Sequence, residues 1–145
     1  MTAADLVVVD TNVLLSASDR SRTTHEAALR LLRDDPRDLH VTPQVVREYL
    51  AVATREVEAN GLGLPHALAV ENVRDLLTSL GLLAEGAGST ERLLGLVGSA
   101  TATGRQVHDA NIVAVALTHG ASTIVTDDAR HFARFAEHLT IEPLG

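Results

Sequence analysis

LVVVDTNVLL, residues 6–15, opens with four consecutive apolar residues and breaks off at Asp10, Thr11 and Asn12. A short unbroken run of Leu and Val, with no polar alternation, reads as a strand buried on both faces. An acid directly after such a strand sits at its carboxyl end, where the functional groups of parallel α/β sheets collect. Working outward, TIVTDDARHF at 123–132 repeats the arrangement, with a strand over Thr123 to Val125 followed by Asp127 and Asp128. Two more acids border apolar segments: Glu48 in PQVVREYLAV and Asp109 in VHDANIVAVAL.

Between these anchors the pattern alternates. A helix is expected near Thr23, where Thr23 and Glu26 have capping-box spacing and Ala28, Leu31 and Leu32 share a face; Asp34-Asp35-Pro36 ends it. Leu39 to Val41 reads as a second strand, and Pro43 suits the first turn of the next helix. In that helix Val45, Tyr49, Ala53 and Val57 form a stripe, with Glu48 at its border. Asn60-Gly61-Leu62-Gly63 is a break. Pro65 to Leu80 predicts a helix, Leu82-Leu83 a short strand, and Ser89 or Thr90 a cap for a helix running to about Ala102. Asp109 is expected to open a helix through Thr118 that is apolar on nearly every side, and therefore buried. Thr140 to Glu142 is a possible last strand. Strands alternating with helices predict a three-layer α/β/α sandwich with a short, mainly parallel central sheet, as a single domain over 1–145.

Composition narrows the chemistry. The chain has 145 residues, enough to bury a real core, but aromatics make up only 2%, so Val, Leu, Ile and Ala must build it. No stretch approaches the roughly 20 apolar residues of a membrane span. The run before Asp10 is too short for a signal peptide, and a cytoplasmic protein is expected. Without cysteine there is neither a disulfide framework nor a thiolate metal site. All 12 basic residues are arginine, which excludes any mechanism needing lysine, including P-loop nucleotide binding. A net charge of −7 argues against broad, nonspecific nucleic-acid binding, so any such contact should be local. An acidic body equally suits a basic protein partner.

Each acid has a bland alternative. Asp10 and Asp128 suit turn starts or helix caps, and Asp109 in a first helical turn is favoured by the helix dipole. Glu48 at the edge of an apolar face can simply turn its head to solvent. Their conjunction is more specific. If folding gathers all four, a like-charged pair about 4 Å apart costs roughly 4 kcal/mol at an effective dielectric of about 20. Cations must then neutralise the cluster, and an all-oxygen donor set selects Mg²⁺ or Mn²⁺ rather than zinc. The seven histidines show no short metal-ligand spacing, and His108, beside Asp109, is the one of interest.

Taken in order, VVVDTNVLL, VVREYL, HDANIVAVAL and TIVTDDARHF resemble the motifs of a PIN domain, and more narrowly of the VapC-type toxin ribonucleases of VapBC toxin–antitoxin pairs. The resemblance spans essentially the whole chain. It implies that Asp10, Glu48, Asp109 and Asp128 bind Mg²⁺ or Mn²⁺ and hydrolyse RNA phosphodiesters. Thr126-Asp127-Asp128 fits the late motif with Asp128 in the acidic place, so Asp128 is preferred as the inward acid, with the choice between it and Asp127 left open. Thr11, Asn12 and Thr126 are expected to support the four acids by hydrogen bonding, and Asp127 is expected beside them. The resemblance further implies a VapB-like antitoxin that blocks the acidic crevice, and a homodimer or a hetero-oligomer with it. Arg20, Arg22, Arg105 and Arg130 are candidates for RNA contact, although solvated surface positions are the plainer reading of each.

Three rivals are weaker. A haloacid-dehalogenase-type phosphatase needs a second Asp where Asn12 stands, and a receiver domain needs a lysine at a late strand end. A catalytically silent PIN-like binding module is expected to lack one of the acids, and all four are present.

Overall fold

The computed structural model describes residues 5–145. In chain order its elements are β1 (Leu6–Val9), α1 (Thr11–Ala17), α2 (His25–Asp34), β2 (Asp38–Val41), α3 (Pro43–Thr54), α4 (His66–Leu76), β3 (Gly81–Leu82), α5 (Ala87–Ser99), α6 (Gln106–Thr118), β4 (Thr123–Thr126), α7 (Ala129–Phe132) and β5 (Thr140–Pro143). The strands form one sheet in the order β3-β2-β1-β4-β5. Every neighbouring pair is parallel.

β1 is the middle strand, and Val7, Val8 and Val9 are fully buried, as an unbroken apolar run requires. Contacts join α1 to α2 and α3, and α3 to α4, in one helical layer, while α5, α6 and α7 pack together in a second. Right-handed crossovers demand this: the chain moves from β1 to β3 in one direction, then jumps back across to β4. The strand order therefore reverses between β1 and β4, and a crevice opens beyond their carboxyl ends. No helix among the described residues is long and apolar enough to cross a membrane.

Several boundaries differ from the expectation, each for a local reason. α1 has no counterpart in the sequence reading, because seven residues are too few to display a helical period. It exists because Asp10 caps it, accepting from the Thr11 amide at 2.8 Å, and because Val13, Leu14 and Leu15 are buried. The Thr23–Glu26 capping box does not form: α2 starts at His25, and Thr24 at its cap is bonded instead to the Ser16 hydroxyl at 2.8 Å. α4 stops at Leu76, where successive turns carry the chain into β3. α5 is entered at Gly86, with Ser89 one turn inside accepting from the Gly86 amide at 3.0 Å rather than acting as the cap. α6 begins one turn before Asp109, at Gln106, whose side-chain oxygen accepts from the Thr103 amide at 2.9 Å.

Candidate active site

Asp10 leaves β1 directly into the crevice, and its backbone amide still donates to the Val125 carbonyl of β4 at 2.9 Å. Its carboxylate is 7% exposed. One oxygen takes the Thr11 amide, and the other takes the Thr126 hydroxyl at 2.9 Å. Burial pushes its pKa up to about 6, against the pull of those two hydrogen bonds, and the charges of Asp109 and Glu48 raise it further.

Asp109, in the first turn of α6, is also pushed up to about 6, chiefly by burial. His131 and His108 oppose that rise, while the charges of Glu48 and Asp128 add to it. Coulombic coupling among these groups means that four segments of the chain deliver their acids to one neighbourhood. Glu48 is clamped between two helices: one oxygen accepts from the Thr11 hydroxyl at 2.7 Å, the other from the Gln44 amide at 2.8 Å. Asp128 is half-buried and pairs with His131 at 2.8 Å.

The four acids share one place without converging on a point. Among the described residues no three His, Asp or Glu side chains stand close enough together to hold an ion as they are placed. The donor set still suits one. It is made of oxygen throughout, as hard divalent cations prefer. Thr11, Glu48, Asp109 and His131 line a cavity of about 720 Å³ together with Arg55, Thr103 and Arg105. Among the described residues neither arginine is paired with an acid.

A family model described as the PIN domain matches residues 7–138. The chain belongs to the PIN-domain family. No curated protein matches it significantly. Among solved structures it is similar to VapBC2 from Rickettsia felis bound to a promoter DNA fragment, with 18% identity, 95% of this chain and 98% of that chain covered and a TM-score of 0.71. DNA-bound VapBC from Salmonella typhimurium aligns with 17% identity over 97% and 99% of the two chains and a TM-score of 0.70. VapC20 of Mycobacterium tuberculosis, described as a sarcin-ricin loop cleaving toxin, aligns with 18% identity over 81% and 86% and a TM-score of 0.65. At these identities the likeness is one of fold.

The supporting residues of this PIN domain fall as follows. The Asn12 side chain accepts from the Asp127 amide at 2.9 Å and donates to the Thr126 hydroxyl at 3.3 Å, tying α1 to the end of β4. The Asp127 carboxylate is exposed and turned toward Thr24, 3.4 Å away, while the charge of Asp128 acts on Asp109. Of the four arginines singled out, only Arg105 lines the cavity. Arg20 and Arg130 are exposed and do not line it, and Arg22 pairs with Asp19 at 3.4 Å.

Three participants escaped the sequence reading. Gln44 precedes Glu48 by four residues on α3, a spacing that puts both on one helix face. His131 follows Asp128 by three across the start of α7. Arg55 follows Glu48 by seven, two turns along the same face. In each case the signal was spacing from a named acid, in a residue type with many other uses.

Proposed function

We propose that the chain is a divalent-metal-dependent endoribonuclease and the toxin of a VapC-type toxin–antitoxin pair. What supports this reading is that Asp10, Glu48, Asp109 and Asp128 act on one another through their charges near the sheet's switch point, with Asp10 and Asp109 pushed up to about 6, chiefly by burial. Asp10 and Asp109 would hold the principal ion, Mg²⁺ or Mn²⁺, with Glu48 and Asp128 completing the set. When bound, such an ion stabilises the charge that builds on the scissile phosphate and makes a water more acidic.

The remaining work falls to the chain. Thr11 and Thr126 donate to Asp10 and Glu48 and so keep their oxygens oriented. His131, bonded through Nδ1 to Asp128, presents its ring to the cavity beside Asp109, where an RNA phosphate would pass. Arg55 and Arg105 supply local positive charge on a body of net charge −7, which keeps RNA contact at the crevice. The likeness to VapBC complexes supports a VapB-like antitoxin as partner, and an acidic crevice suits a basic blocking segment.

The test is cleavage of single-stranded RNA by antitoxin-free protein with Mn²⁺ and with EDTA, for wild type, Asp10→Asn and Asp109→Asn. Cleavage by wild type in Mn²⁺ alone, lost in both variants, is expected. Full activity in either variant overturns the assignment.

A further inference from the structure

Gln44 is 5% exposed, a polar amide buried beside a carboxylate. Such a group is tolerated only where its donors and acceptor are matched. Here the match is complete. Nε2 donates to Glu48 at 2.8 Å and to the backbone carbonyl of His108 at 2.9 Å, and Oε1 accepts from the Asn111 amide at 2.7 Å. Asn111 in turn donates to Glu85 at 2.6 Å. Only one orientation of the Gln44 amide fits, because the flipped form would aim its oxygen at a carboxylate and a carbonyl.

The placement matters more than the count. The His108 carbonyl belongs to the turn of α6 that carries Asp109, so Gln44 fastens the helix bearing one acid to the helix bearing another. Glu48 and Asp109 repel one another. Neutral donors that grip Glu48 and the α6 backbone together resist that repulsion without adding charge of their own.

We propose that Gln44 is a positioning residue, which holds the Glu48 carboxylate in its rotamer and α3 against the first turn of α6, with Asn111 and Glu85 bracing it from behind. The inference rests on the nuclease reading for its consequence, but its geometry can be tested apart from it.

In metal-free, ¹⁵N-labelled full-length protein, the side-chain amide protons of Gln44, assigned by their loss in Gln44→Leu, should be dispersed and should move in Glu48→Ala. A Gln44 signal pair at unstructured positions and indifferent to Glu48→Ala overturns the clamp. The second measurement is direct Mn²⁺ binding by electron paramagnetic resonance together with steady-state RNA cleavage. Gln44→Leu should weaken Mn²⁺ roughly 10- to 100-fold, the usual cost of losing a group that orients a metal ligand, and should lower kcat with KM little changed. Asn111→Leu, which leaves Glu48 untouched, should show a smaller loss of the same kind and stands in if Gln44→Leu does not fold. Wild-type Mn²⁺ affinity and kcat in folded Gln44→Leu overturn the proposal. If wild type neither binds Mn²⁺ nor cuts RNA, the nuclease reading fails, and the amide signals alone decide the clamp.

Discussion

The Thr126 hydroxyl donates a 2.9 Å hydrogen bond to the Asp10 carboxylate, joining the ends of two adjacent strands across 116 residues of chain. The same oxygen accepts from the Asp128 amide at 3.0 Å and from the Asn12 side chain at 3.3 Å. Thr126 is fully buried, so this one hydroxyl sets the relative positions of Asp10 and Asp128.

Thr126→Val keeps the shape and removes all three bonds. It should cost about 1–3 kcal/mol, because buried polar groups are left without partners, and it should depress RNA cleavage. Urea unfolding and cleavage rates check this, with Thr126→Ser expected to retain most of both. An unchanged urea midpoint in the valine variant counts against the hub.

The buried acids make metal-free stability depend on pH. Asp10 and Asp109 are raised from 3.8 to about 6 in the folded protein. The folded state therefore binds more protons than the unfolded chain between these values, and stability falls as pH rises from about 4 to about 6. Above that window the destabilisation is fully present; below it, it is gone. For Asp10 alone the pKa change corresponds to about 3 kcal/mol. Thermal unfolding in EDTA at pH 5 and pH 7.5 should show higher stability at pH 5, with a smaller difference in Asp10→Asn. Equal pH dependence in the two proteins would contradict the burial of an ionisable Asp10.

A divalent cation should oppose that trend and offset part of it. At a concentration ten times its Kd, Mn²⁺ stabilises by about 1.4 kcal/mol through mass action. Protons compete for Asp10 and Asp109, so affinity should drop on the order of 10- to 100-fold from pH 7.5 to pH 5. Calorimetry at both pH values gives the comparison. A pH-independent Mn²⁺ affinity would place the ion elsewhere.

Arg55 and Arg105 line the cavity from the residue just past α3 and from the turn before α6. Replacing either with alanine should raise KM for single-stranded RNA several-fold with little change in kcat. The log–log salt slope of binding should flatten by about 0.7 per arginine that contacts a phosphate. Arg20→Ala and Arg130→Ala, at positions that do not line the cavity, should change neither. A slope that stays constant in Arg55→Ala removes that residue from the RNA path.

Legibility varied with the range of the interaction. LVVV was recognisable as a buried strand because burial on both faces demands continuous apolar residues, and Asp10 and Asp128 could be placed near strand ends because one directly and the other closely follows a strand. α1 and α7 were invisible, being too short for periodicity; a cap from Asp10 holds α1, and α7 is held by tertiary contacts. Gln44 and His131 lacked any signal of their own, since amides and histidines occur throughout the chain and only their partners distinguish these two.

By itself the amino-acid sequence determined the alternation of strands and helices, the lysine-free and cysteine-free chemistry, and four acids each at the end or edge of an apolar segment. These are properties of composition and local period, written in neighbouring residues. Only the tertiary structure decided that Asp128 rather than Asp127 turns inward, that Arg105 and Arg55 rather than Arg20 and Arg130 line the cavity, and that Glu48 is gripped by Thr11 and Gln44. Those outcomes depend on hydrogen bonds and charges that act over a few ångströms between residues far apart in the chain, and no local pattern encodes such distances.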